Sequence, residues 1–108
     1  ISDWDTALPD LLEGWGIRNR LHGLAVSEIV GCTKPNPHLF RHALADAGVD
    51  AAVSMHVGDF YELDVVGARA AGMQALLIDV RDRSRGVDCP RVTDFDAMAD
   101  FFLSLPPP

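Results

Sequence analysis

Apolar residues recur along this chain in two rhythms. From Thr6 to Trp15, Leu8, Leu11, Leu12 and Trp15 fall at i, i+3, i+4 and i+7, and Pro9 sits in the first turn, where its missing N–H costs little. The spacing predicts an amphipathic helix stopped by Gly16. A second helix is expected from Pro37, a favoured first helical position; it buries Leu39, Phe40, Ala43, Leu44 and Ala47 and ends at Gly48. A third runs from about Tyr61 to Ala71 and stops at Gly72. The last places Phe95, Met98, Ala99 and Phe102 on one stripe with Asp94, Asp96 and Asp100 facing water, capped by Thr93 or Asp94 and ended by Pro106. Between these helices lie short continuous apolar runs, Leu24 to Val26, Met55 to Gly58 and Met73 to Ile78, which read as buried strands.

Strands alternating with helices of about ten residues predict right-handed βαβ units and a parallel sheet. The stretch Asp79 to Arg91, rich in Arg, Asp, Ser, Gly and Pro, is expected to be a polar loop. Residues 1–105 are read as one domain segment and 106–108 as a proline tail. With 108 residues, a single core is the most the chain can bury. It opens at Ile1, not Met, in what reads as the end of a strand, so an excerpt of a longer polypeptide is expected.

Charge narrows the partners. Sixteen carboxylates against nine Lys and Arg give a net charge of −7, the wrong sign for binding a nucleic-acid backbone. No apolar run approaches the roughly 20 residues of a membrane span. Cys32 and Cys89 lie far apart with no Cys-x-x-Cys, so both are expected to be free thiols in a reducing cytoplasm.

Three segments carry candidate chemistry. In Val57-Gly58-Asp59-Phe60-Tyr61-Glu62-Leu63-Asp64, an apolar strand delivers one carboxylate at its C-terminal end and another five residues later. Ligands of open α/β sheets gather at such strand ends, Gly58 lets the backbone turn sharply, and two hard oxygen donors suit Mg²⁺. The bland alternative makes Asp59 a helix cap and Asp64 a solvated helix residue. In Lys34-Pro35-Asn36-Pro37, Pro35 biases Lys34 to an extended conformation and Pro37 starts a helix, so an ammonium is presented from a fixed backbone; a compact cation suits a phosphoryl group. A surface lysine beside a turn is the alternative. Ile1-Ser2-Asp3 offers a hydroxyl and following amides that could grip a phosphate oxygen, or form a plain helix cap.

Taken together, a Ser at a strand end, a Lys-Pro-x-Pro thirty-two residues on and an apolar-Gly-Asp-x₄-Asp segment resemble the second, third and fourth motifs of the haloacid dehalogenase (HAD) superfamily. The resemblance runs from Ile1 to about Val80. It implies a Rossmann-like three-layer α/β fold with a parallel sheet, here as an incomplete C-terminal part of the HAD core. It also implies phosphate binding by Ser2, Asp3 and Lys34, with Lys34 catalytic. Mg²⁺ would be held by Asp59, with Asp64 a second acidic member in direct or indirect contact. The implied reaction is hydrolysis of a small phosphorylated metabolite through an aspartyl-phosphate.

Two departures accompany it. Asp3 stands where the family usually has Asn, adding a negative charge near the phosphate. The family's nucleophilic and acid/base aspartates, two residues apart after the first strand, are expected N-terminal to Ser2 and outside this chain. Asp3-Trp4-Asp5-Thr6 spells a D-x-D-T pattern but has only Ile1 as a preceding strand, so it is set aside; otherwise Asp3 and Asp5 would be the nucleophile and the acid/base. The resemblance also sets the strand that carries the nucleophile between the Ser2 strand and Met55–Gly58, so these two are not expected to pair.

Other residues read as structure. His38 and His42 share a helix face without a third ligand, His56 is expected to be packed or hydrogen-bonded, Trp4 and Trp15 to face the core or a cap, and Phe60 and Tyr61 to line a pocket entrance or pack. Two rivals remain: a 2-haloacid dehalogenase, which resembles a metal-free enzyme with a Ser-Asn segment where this chain has Gly58-Asp59, and a non-catalytic HAD-like binding module.

Overall fold

A computed structural model of the protein describes residues 1–107; Pro108, the end of the proline tail, lies outside the described residues. Three parallel strands form the sheet, β1 (Met55–Gly58), β2 (Gln74–Ile78) and β3 (Arg91–Val92), in the order β1-β2-β3. Helices α1 (Leu8–Gly14), α2 (Ser27–Val30), α3 (Pro37–Ala47), α4 (Val66–Ala70) and α5 (Phe95–Ser104) complete the order, with α4 in the crossover from β1 to β2. Central β2 explains its own sequence: Ala75, Leu76, Leu77 and Ile78 are all buried, so both faces are covered and the run is continuous, not alternating. The core gathers Phe40 from α3, Val65 and Ala68 from the β1–β2 crossover, and Met73, Ala75 and Leu77, with Ile1 packed against it.

α3 forms as the pattern predicts. Pro37 opens it, the Asn36 side chain accepts the His38 N–H, and Gly48 closes it at φ +67°. Leu39 and Phe40 are fully buried, Ala43 and Leu44 half-buried, and Ala47 is exposed, because the last turn extends past the core. Gly67 packs α4 against it: a Cβ there would lie 2.5 Å from the Phe40 ring.

Several expectations require correction. The expected helix from Tyr61 is two pieces, a wide π-helical stretch Tyr61–Val65 running into α4, which turns Asp64 and Val65 inward. The Leu24–Val26 run buries Ala25 and Val26 but makes a single parallel bridge from Val26 to Ser2, since α2 begins at Ser27 and leaves no length for a ladder. α1 is shorter than expected and buries no residue; Trp15 (65% exposed) and Trp4 (53%) are not core residues. On α5 the half-buried positions are Ala97, Met98 and Phe101, a stripe rotated from the one expected; Phe95 and Phe102 are exposed. β3 starts at Arg91, inside the segment expected to be loop, and pairs with β2 through Leu77 and Ile78. One expectation holds: the Ser2 segment does not pair with β1 but with Val26, and the pairing of β1 among the described residues is with β2 alone.

Candidate active site

Strand β1 ends at Gly58, and the π-helical stretch carries the chain back over it. A Cβ on Gly58 would lie 2.0 Å from the Asp64 Cγ, so only glycine leaves room for that carboxylate. Its φ lies outside the left-handed region; close approach, not the sharp turn expected from sequence, is the reason for glycine here.

Asp64 is 1% exposed and its carboxylate has three partners. Oδ1 accepts from the Lys34 ammonium at 2.7 Å and pairs with His56 Nε2 at 2.8 Å, while Oδ2 accepts the Phe60 N–H at 3.0 Å. Burial alone would push this carboxyl up. The His56 and Lys34 hydrogen bonds and the Phe60 amide outweigh it, and hold Asp64 well below the usual carboxylate range. His56 meets the Phe40 ring edge-on at 5.0 Å, as its packed, hydrogen-bonded expectation required.

Lys34 is fixed at its other end too. Its backbone N–H donates to Asp3 Oδ1 at 3.0 Å, and its peptide bond to Pro35 is cis. The carboxylate at position 3, which looked out of place beside a phosphate, therefore orders the lysine loop. Behind it, Ser27 Oγ accepts from the Trp4 N–H at 3.0 Å and donates to the Trp4 carbonyl at 3.1 Å, and a Glu28 carboxylate oxygen accepts the Thr6 N–H. Asp3, Lys34 and Asp64, distant in sequence, are thus linked in one chain of contacts. Ser2 is tied by its backbone to Ala25 and Ser27, and its hydroxyl has no protein partner among the described residues. Asp5 accepts the Ala7 N–H, while His38 and His42 stand exposed on α3.

Asp59 differs from Asp64. It is exposed at the carboxyl end of β1, and among the described residues nothing hydrogen-bonds its carboxylate. A family model described as HAD-hydrolase-like matches residues 31–87, more than half of the chain and the part that holds both Lys34 and this pair of aspartates. The chain belongs to the HAD-like hydrolase family. It is 45% identical over 78 residues to haloacid dehalogenase-like hydrolase domain-containing protein 3 of Mus musculus, covering 72% of this chain and 31% of that protein. It is 41% identical over 76 residues to phosphoserine phosphatase of Thermus thermophilus, covering 67% and 30%. The chain thus spans about a third of the length of these curated relatives. Among solved structures, a HAD phosphatase from Thermococcus onnurineus shares the fold at a TM-score of 0.77 and 23% identity, over 90% of this chain and 46% of that one. The 2-haloacid dehalogenase from Pseudomonas syringae superposes at 0.76 with 26% identity, over 85% and 41%.

In this HAD-like chain, Asp59 opens on a cleft of about 610 Å³ at the carboxyl ends of β1 and β2, lined also by Phe60, Ile78, Arg81, Arg83 and Phe95. Another wall is the segment after β2, expected from sequence to be a polar loop, which the fold ties together tightly. Buried Asp79 accepts the Arg83 N–H at 3.0 Å, the Ser84 N–H at 2.7 Å and Arg91 Nε at 2.9 Å; these contacts, the Arg83 amide foremost, hold its carboxyl below the usual range. Asp82, at φ +53°, pairs with both Arg85 and Arg91. Asp88 receives the Tyr61 hydroxyl at 2.6 Å and Arg69 at 2.8 Å, anchoring the loop to the π-helical stretch. One signal could have revealed this tie: Asp79 follows an apolar strand as Asp59 does.

For a divalent cation the fit is specific but partial. Mg²⁺ is commonly held by one or two carboxylates with waters and substrate phosphate completing its shell. Asp59 is a free hard-oxygen donor of that kind, whereas the Asp64 oxygens already face the Lys34 ammonium and His56, or the Phe60 amide. Among the described residues no group of three or more His, Cys, Asp or Glu side chains is gathered to hold a metal. No helix among them is long and apolar enough to cross a membrane.

Proposed function

We propose that the complete protein is a Mg²⁺-dependent phosphatase of the HAD-like family that acts on a small phosphorylated metabolite. The observation that carries this reading is the Lys34 ammonium clamped by buried Asp64, together with the free Asp59 carboxylate at the end of β1. The phosphatases among its relatives support it. The nucleophile is an aspartate supplied by a segment outside residues 1–108, whose strand pairs with the open edge of β1; the phosphoryl group passes to that aspartate and then to water. Residues 1–108 alone are therefore inactive.

Within this chain, Ser2 and the amide after it hold phosphoryl oxygens, and Asp3 serves them by fixing the lysine loop. Lys34 is the catalytic cation, preorganised toward the charge that develops on the transferred group. Asp59 is the direct metal ligand, and Asp64 contributes indirectly by holding Lys34 and the Phe60 amide. Mg²⁺, when bound, would spread phosphate charge. The two half-buried thiols, Cys32 and Cys89, fit a reducing cytoplasm.

The test uses the full-length protein. Phosphate release should require Mg²⁺, fall to near background in Asp59→Asn, and drop about 10²–10³-fold in kcat in Lys34→Ala, in line with losing one preorganised donor. Undiminished turnover in excess EDTA would overturn the metal assignment. Halide release from a 2-haloacid without metal would favour the dehalogenase reading, which the likeness to the Pseudomonas enzyme keeps in view.

A further inference from the structure

The cleft beside Asp59 carries two guanidinium groups that the fold leaves uncommitted. Four arginines lie between Asp79 and Val92. Arg85 pairs with Asp82, and Arg91 with Asp79 and Asp82. Arg81 and Arg83 line the cleft, exposed, and among the described residues neither guanidinium has a hydrogen-bond or ion-pair partner.

Neighbouring carboxylates do not cancel them. Asp79, the other acid of the cleft, is 7% exposed and saturated by the Arg83 and Ser84 amides and by Arg91. That same carboxylate pins the backbone on which Arg81 and Arg83 stand, so the two cations project from an ordered turn. Phe60, Ile78, Val80 and Phe95 supply apolar wall to the same cleft. On a molecule of net charge −7, a local pair of free cations facing a cleft marks a place where an anion is favoured against the overall field.

We infer that this cleft receives the leaving-group end of the substrate, and that Arg81 and Arg83 select phosphate esters whose leaving group carries a second anion, a carboxylate or a phosphate. The inference rests on the proposed phosphatase reading, which sets the reacting phosphoryl group beside Asp59 and Lys34. The guanidinium fork matches the two oxygens of a carboxylate or phosphate, and a short carbon stem suits the apolar wall.

Two esters that differ only in a carboxylate against a methyl group, phospholactate and isopropyl phosphate, give the test in the full-length protein with Mg²⁺. The ratio of their kcat/KM values should fall about tenfold in the Arg81→Gln/Arg83→Gln double variant, as expected for losing partly solvated charge-assisted contacts. An unchanged ratio overturns the inference. Because both side chains are exposed and Arg83 serves Asp79 through its backbone N–H, the double variant keeps the loop's contacts; an unaltered melting temperature checks this. If the wild-type protein hydrolyses neither ester, the cleft is read separately by arginine Nε–Hε NMR, while the phosphatase reading stands or falls on Mg²⁺-dependent phosphate release. Saturable shifts at Arg81 and Arg83 with phospholactate but not isopropyl phosphate uphold selection of the second anion; equal shifts, or none, overturn it.

Discussion

At Gly58 one hydrogen atom decides whether the site can exist. Gly58→Ala sets a methyl group 2.0 Å from the Asp64 Cγ, inside any tolerable contact, so the carboxylate must leave its place between Lys34 and His56. The expected cost is about 1–3 kcal/mol, read from urea unfolding of the full-length protein, with the proposed phosphatase activity falling alongside. Asp64 also sets an acid limit. Its folded-state carboxyl titrates below its unfolded value, so its stabilisation is complete above about pH 4 and is lost as pH falls toward the folded-state value. Between pH 6 and pH 3, Asp64→Asn should show a shallower decline in urea midpoint than wild type; equal slopes would refute this account. Sequence singled out Lys34, Asp59 and Asp64 because Lys34 stands before a proline that fixes it, and Asp59 and Asp64 stand at one and six residues past the end of an apolar strand. The division of labour between the two aspartates was not visible, since it depends on which of them the π-helical stretch turns inward.

Elements were legible where their pattern is set locally. Pro37, Asn36 and Gly48 delimit α3, and Asp94, which accepts the Ala97 N–H, caps α5, because capping chemistry acts within a few residues. Asn36→Ala should cost about 1 kcal/mol in thermal or urea unfolding, with little effect if the His38 amide is solvated instead. Faces were harder to read than helices. The α5 stripe is rotated and α1 is no more than half-buried at Leu8, Pro9 and Leu12, because periodicity fixes a spacing while the neighbour fixes which side is covered. β3 escaped notice because two residues, Arg91 and Val92, carry no pattern of their own and are made a strand only by lying beside β2. Helix contact is sharper: Gly67→Ala drives a methyl to 2.5 Å from the Phe40 ring and should destabilise by about 1–3 kcal/mol, whereas Gly14→Ala, with open space around it, should not destabilise.

Across the whole molecule, β1 and β2 stand in different situations. β2 is paired on both sides and buried; β1 is half-exposed along its length, with one edge unpaired among the described residues. For residues 1–108 expressed alone, amide exchange should be distinctly faster through Met55–Gly58 than through Ala75–Ile78, and sedimentation should reveal association through the open edge. Uniform protection and a monomer would show that the edge needs no partner. The parallel α/β class was readable because strand and helix rhythms alternate over the whole chain. What flanks β1 was not, since the residues of a strand do not name its neighbour.

The tie between Asp79 and Arg91 joins the two ends of the segment between β2 and β3 at its base. Once that base is closed, lengthening the tip adds little entropic cost, because closure depends only logarithmically on length. The segment thus separates what must be kept from what can be rewritten. Relatives could exchange, extend or recharge the stretch around Arg85 to Val87 and alter the mouth of the cleft, while the carboxylate and guanidinium at its root preserve the register of the sheet.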